Sequence, residues 1–316
     1  MNIFVLSPGQ DTGGQGGRIK TAFDRHAPGW AVRAMRGKNN YLAYPRDLEW
    51  DEAKALELYE WADVVHHKNA LTAYARLDRN LCKPTVIHHH GTRLRDNAEA
   101  VWREAESIGA VQVTSTVDLL ESAPGAEWLP APFDLEALGQ YRNPKRGSTV
   151  RIAHAPTNRR IKSTARVLNV LDSLSRRYDI EFDLIENYPW KVCLARKGRA
   201  HIFIDQLVLG YGNNAIEAWA MGIPVIAGVA SPTVRARMVD TWGELPFYEA
   251  TAKTLEARLA ELIESEELRD EWGARGQAHA ERWHEEGRVV EQLKDIYRSA
   301  PPSKGVKAFR PYEPKR

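Results

Sequence analysis

The sequence predicts an α/β protein built from two Rossmann-like domains with parallel sheets. Three observations predict it. Short apolar runs alternate with amphipathic stretches, the alternation stops at a polar segment near the middle and restarts, and the first run opens into a glycine cluster. Alternation of this kind implies strands joined by helical crossovers, hence parallel sheets. A chain of 316 residues, 43% of them hydrophobic, exceeds one typical domain and can fill two cores.

In the first half the strand candidates are Asn2–Leu6, Trp30–Met35, Asp63–His67, Thr85–His90 and Val111–Ser115, with Asp51–Trp61 and Arg95–Ser107 as helices between them. The second half offers strands over Val150–Ala155, Glu181–Glu186, Ile202–Asp205 and Pro224–Gly228. Its helices are expected over Thr164–Tyr178, Asn213–Met221, Thr251–Ser265 and Glu267–Trp283. Arg142–Ser148 is polar, holds Pro and Gly, and precedes a new strand, as a linker does.

The expected organisation is an N-terminal domain over 1–140, a linker over 141–149 and a second domain over 150–284. A helix over 285–300 then packs back on the first domain, because Val289, Val290, Leu293, Ile296 and Tyr297 follow helical spacing and need burial. The tail 301–316 carries Lys304, Lys307, Arg310, Lys315 and Arg316 against the single acid Glu313. It reads as disordered, so its removal is expected to leave the fold intact.

Charge narrows the function. With 44 basic and 42 acidic residues the net charge is +2, which gives no global case for nucleic-acid or membrane binding. Two cysteines, Cys82 and Cys193, argue against a disulfide framework and fit a reducing compartment. No stretch approaches the roughly 18 apolar residues of a membrane span, and the run Ile3–Leu6 is too short for a signal peptide. A cytoplasmic protein is expected.

Four segments carry candidate chemistry. The glycine loop Gly13-Gly14-Gln15-Gly16-Gly17 follows the first strand, where α/β folds place ligands and backbone amides can approach them closely. Its spacing fits neither the dinucleotide fingerprint nor the P-loop. His66-His67 and His88-His89-His90 end two strands of the same half. In a strand, His88 and His90 point one way and His89 the other, so the three cannot converge on one ion. Arg159 and Lys162 precede a helix N-terminus, an arrangement suited to a diphosphate; a solvated basic patch is the plain alternative. Finally, Gly210-Tyr211-Gly212-Asn213-Asn214 leads into a helix with Glu217 near its start. Such a carboxylate either meets ligand hydroxyls or serves the helix dipole.

The stretch Gly210–Val225 resembles the signature of the large retaining GT-B glycosyltransferase family numbered four. There a Gly-Phe/Tyr-Gly turn precedes a helix bearing Glu-Ala-x-Ala-x-Gly-x-Pro-Val. Ala155–Ser163 resembles its Pro-x-x-Arg-x-x-Lys-Gly turn, Leu129–Asp134 its Leu-Pro-x-Pro-x-Asp segment, and Thr85–Gly91 the strand that delivers a histidine. The four blocks occur in the family's order. The resemblance implies a GT-B fold, two Rossmann-like domains facing across a cleft.

By the same resemblance, Glu217 binds the ribose hydroxyls of a nucleoside diphosphate-sugar, a UDP-sugar as first choice. Arg159, or Arg160 in its place, and Lys162 hold the diphosphate, and Gly210, Gly212, Asn213 and Asn214 present amides near it. Gly13, Gly14 and Gly16 lie near the β-phosphate and acceptor, and His90, with His88 and His89 as alternatives, contacts the sugar. Sugar passes with retention to a hydroxyl acceptor that is small, lipid-linked, or a macromolecule such as DNA or protein. No metal and no other cofactor is expected, because no Asp-x-Asp pair occurs and the cations can take a metal's role. Glu217→Ala is expected to lose nucleotide affinity with the fold intact. Two positions depart from the pattern: Leu209 stands where the family has a first Glu, and Ser163 where it has Gly. A sugar-nucleotide epimerase and a non-catalytic binding module are the alternatives. Nothing in the sequence specifies an oligomeric state.

Overall fold

A computed structural model describes residues 1–9, 11–37, 42–144 and 148–311. They form two compact units, Met1–Phe133 with Glu286–Arg316, and Asp134–Glu285.

The first unit is a sheet of seven parallel strands. They are β1 (Asn2–Ser7), β2 (Ala31–Arg36), β3 (Leu48–Glu49), β4 (Val64–Lys68), β5 (Thr85–His89), β6 (Val111–Thr114) and β7 (Glu127–Trp128). Their order is β3-β2-β1-β4-β5-β6-β7, so the side on which successive strands are added switches between β1 and β4. In open α/β sheets the loops leaving two such strands diverge, and ligands commonly bind at the carboxyl edge there. One face packs Ile3, Val5 and Val64 against the helices Gln15–His26 and Glu286–Ser299. The other packs Phe4, Leu6 and Val65 against Leu58 and Tyr59 of the helix Glu52–Trp61, which Asp51 caps by accepting from the Lys54 amide at 2.7 Å.

The second sheet runs β11 (Leu209–Gly210), β12 (Val225–Val229), β10 (Ile202–Ile204), β8 (Val150–His154) and β9 (Ile180–Leu184). The remaining strand, β13 (Tyr248–Glu249), pairs with β12. Only β11 is antiparallel among the described pairs. The side on which successive strands are added switches between β8 and β10, so the loops 155–163 and 205–208 leave the sheet at its switch point.

Several expectations change. The units divide at Phe133 and Asp134, ahead of the polar stretch 142–148. Composition marks that stretch as a loop, but Asn143 bonds its amide to the Gly198 carbonyl at 2.9 Å and so ties it to the second unit. Lys145, Arg146 and Gly147 of the expected linker lie outside the described residues. The helix expected over Arg95–Ser107 is two, Thr92–Asp96 and Ala98–Ile108. Asn97 breaks it with φ −142°, its side chain reaching the Arg93 carbonyl instead.

The tail differs most. Ser303 is buried and hydrogen-bonds the Tyr74 hydroxyl at 2.8 Å, the Lys304 amide donates to the Ile108 carbonyl, and Phe309 lies 5.2 Å from the Tyr74 ring. Charge counting misses this because a few apolar and hydroxyl side chains do the anchoring. Residues 312–316, with Glu313, Lys315 and Arg316, lie outside the described ones. Truncation after Ala300 is therefore expected to destabilise, by about 1.5–3 kcal/mol, because Val306 and Phe309 no longer cover Leu71, Tyr74 and Ile108. Thermal melts of the two chains check this, and coincident melts would show the packing to be dispensable.

Candidate functional site

At the switch point of the second sheet, Lys162 arrives on the loop after β8 and Asp205 on the loop after β10. Their side chains form an ion pair. Asp205 also accepts from the Gly212 amide at 2.8 Å, and Gly212 is the N-cap of the helix Asn213–Ala220. Ammonium, carboxylate and helix N-terminus therefore meet at one place. A Cβ on Gly212 would stand 3.5 Å from the Lys162 nitrogen, so a bare glycine leaves that approach open.

Glu217 lies one turn further along the same helix and is buried, at 2% exposure. Its Oε2 accepts from Lys197 Nζ at 2.6 Å and its Oε1 from Trp190 Nε1 at 2.7 Å. Lys197 is fully buried and also donates to the Asn214 carbonyl and side-chain oxygen. Asn214 in turn donates to the Ala155 carbonyl at 2.9 Å, which ties the helix start to the loop after β8. Asn213 is half-buried beside it.

The other candidates of the second unit are less concentrated. Arg159 is 60% exposed and forks onto Glu186 at 2.8 and 2.5 Å, whereas Lys162 turns inward. Ser163, in the position where the resemblance places Gly, has φ +55°. The left-handed conformation that glycine serves is thus kept without glycine. Gly210 pairs with Gly228 across β11 and β12. Between the glycines, Tyr211 is buried with its hydroxyl 2.9 Å from His279 Nε2 and 2.8 Å from His284 Nε2.

The first unit repeats the motif at its own switch point. Asp11, after β1, accepts from the Gly16 amide at 3.0 and 3.1 Å and pairs with Lys68, the last residue of β4, at 2.8 Å. The Gly16 amide expected for a ligand is therefore engaged internally. Gly13 and Gly14 have φ +65° and +68°, and a Cβ on Gly14 would lie 2.8 Å from the Tyr44 ring. His90 is buried just past β5, its ring 4.2 Å from that of His88. His88 in turn lies 5.4 Å from His66, whose Nδ1 meets the Tyr297 hydroxyl at 2.7 Å. His89 points to the opposite face and reaches Gln112 at 2.9 Å.

Burial holds these rings neutral. It lowers His66 and His67 to about 3, His89 to about 4 and, in the second unit, His279 to about 2. All four lie below the ordinary value of 6.5, so the unfolded chain binds more protons once pH falls under that value. Stability present above pH 6.5 is then lost as pH falls, by about 1.4 kcal/mol per pH unit for each ring. Urea midpoints are expected to drop steeply from pH 7 to pH 5, and a flat profile would contradict the burial.

No protein-family model and no curated protein matches the sequence. Solved structures do. HepE of Anabaena in complex with UDP and glucose superposes with a TM-score of 0.67 at 12% identity, covering 94% of this chain and 99% of that one. A glycosyltransferase from Rickettsia africae gives 0.68 at 11%, covering 95% and 98%. An alpha-glucosyltransferase in complex with UDP and a 13-mer DNA containing a central A:G mismatch gives 0.63 at 13%, covering 95% and 100%. Full-length agreement of this kind decides the architecture. The chain has the GT-B fold.

In that GT-B frame, Lys162, Gly212, Asn214 and Glu217 gather around the start of one helix of the second unit, with Arg159 on its own exposed pair. Asp205, Lys197 and Trp190 of the second unit, and Asp11 and Lys68 of the first, were not among the sequence candidates. Asp205 had a signal, a carboxylate ending a strand just before a glycine turn. Lys197 had none, because the short helix Trp190–Lys197 lacks a clear apolar stripe. Among the described residues no group of three or more His, Cys, Asp or Glu could hold a metal. No described helix is long and apolar enough to cross a membrane.

Proposed function

We propose that the chain transfers a sugar from a nucleoside diphosphate-sugar, with UDP as the first choice of nucleotide, to a hydroxyl acceptor, in the manner of the retaining family that its motifs resemble. The observation that carries this reading is the meeting of Lys162, the Gly212 amide and Glu217 around one helix N-terminus at a sheet switch point. In this reading Glu217 serves the ribose, while Lys162 and Arg159 serve the diphosphate. His90 serves the transferred sugar, and Gly13, Gly14 and Gly16 the acceptor side. The UDP and UDP-glucose complexes of HepE support the choice of donor.

The chemistry follows from charge. As the glycosidic bond to phosphate breaks, negative charge grows on the departing diphosphate, and fixed cations stabilise it most at that moment. Those cations make a metal unnecessary in this scheme. Lys162→Ala is therefore expected to lower kcat by about 100-fold, with a smaller change in KM. A rise in KM alone would reduce Lys162 to a binding residue.

The donor itself is tested by thermal shift with UDP-, GDP-, ADP- and dTDP-sugars, since a ligand bound only by the native state raises stability by mass action. Stabilisation by UDP-sugars supports the reading, and no shift with any of the four contradicts it. A non-catalytic binding module is favoured by one observation, Leu209 in place of a carboxylate. Tight UDP-sugar binding without turnover would establish that second reading.

A further inference from the structure

The two sheets carry the same small device at their switch points. In each, an aspartate accepts from a glycine amide at a helix start and pairs with a lysine: Asp11 with Gly16 and Lys68, Asp205 with Gly212 and Lys162. A helix N-terminus beside an ammonium attracts anions, and here a carboxylate of the chain already occupies both attractions. The devices differ in access. Lys68 and Asp11 are 2% and 1% exposed, whereas Lys162 keeps 12% exposure beside Asp205 at 1%. The first device is closed, and the second has an ammonium within reach of solvent.

We infer that Asp205 is a built-in stand-in for the donor's phosphate and sets the affinity of that site for anions. The inference rests on the donor reading above. A diphosphate that takes Lys162 and the Gly212 amide does so in competition with Asp205, so donor binding is an exchange of one anion for another. The arrangement keeps the cation neutralised until a more highly charged ligand arrives, which disfavours singly charged anions at the same place.

Removing the Asp205 charge has two opposed effects. Lys162 loses the group that orders it, which weakens binding by part of one side chain's rotamer entropy. The incoming phosphate also loses a like charge within a few ångströms in a partly buried setting, where Coulomb repulsion is strong. The second effect is the larger, so the sign of the change distinguishes a competitor from a mere holder.

Titration calorimetry of UDP and of inorganic pyrophosphate into the full chain and into Asp205→Asn tests this. The expected result is a Kd about tenfold lower for both probes in Asp205→Asn, equivalent to about 1.4 kcal/mol. Adding Lys162→Met to Asp205→Asn should abolish the gain. Unchanged or weaker binding by Asp205→Asn overturns the inference and leaves Asp205 as a holder of Lys162. Circular dichroism monitors folding, and Asp205→Ser, which also removes the charge, replaces Asp205→Asn if that variant unfolds. Binding of neither probe to the parent chain would instead refute the donor reading, and the inference with it.

Discussion

Truncation after Trp283 is expected to abolish folding of the first unit. The last helix, Glu286–Ser299, belongs to that unit although the rest of the unit ends at Phe133. Val289, Val290, Leu293, Ile296 and Tyr297 are at most 3% exposed and share a core with Ile3, Val5 and Phe23. At about 1.5–3 kcal/mol per buried side chain, five such residues contribute roughly 7–15 kcal/mol, comparable to the 5–15 kcal/mol total stability of a typical domain. Truncation would also strip the Tyr297 hydroxyl from buried His66 and leave β1 and β4 open on one face. Circular dichroism and thermal melts of the truncated chain check the outcome. A soluble product that melts cooperatively near the full-length temperature would contradict it.

Glu217→Ala is expected to lower stability by about 3–5 kcal/mol, because it leaves the ammonium of fully buried Lys197 without its counter-charge. The sequence alone led to the expectation that the fold survives this change; the buried pair with Lys197 adds a stability cost to it. The helical position of Glu217 was readable, but its partner sits on a helix 20 residues away that the sequence does not announce. Two companions separate charge from packing. Glu217→Gln keeps the shape and one acceptor and should lose less. Glu217→Met with Lys197→Met removes both charges and should recover much of the loss, as apolar replacement of buried pairs often does. Urea unfolding is the measurement, and a loss under about 1 kcal/mol for Glu217→Ala would show that the pair is not load-carrying in the folded state.

Strand cores were legible because they are short runs of Val, Ile and Phe bounded by turn residues. The observed strand starts lie within a residue of those read for Asn2, Thr85, Val111, Val150 and Ile202. The Gly-Tyr-Gly turn and the helix after it were legible for the same reason: glycine and apolar periodicity are local signals. What stayed hidden is non-local. The pairing of Lys162 with Asp205 spans 43 residues and that of Lys68 with Asp11 spans 57, and no spacing rule links such positions. The anchoring of the tail depends on the Tyr74 hydroxyl, more than 200 residues away in sequence. Composition favoured disorder there because it counts charges and does not see a single buried contact.

In the proposed function the second unit binds a nucleoside diphosphate at the start of the helix Asn213–Ala220. Amide hydrogen exchange with and without saturating UDP tests it most directly, since ordering by a ligand slows exchange where the backbone is engaged. Slowed exchange is expected in the turn 158–164 and the segment 210–217, both of which carry the proposed contacts. Unchanged exchange in both segments at saturating UDP would contradict it.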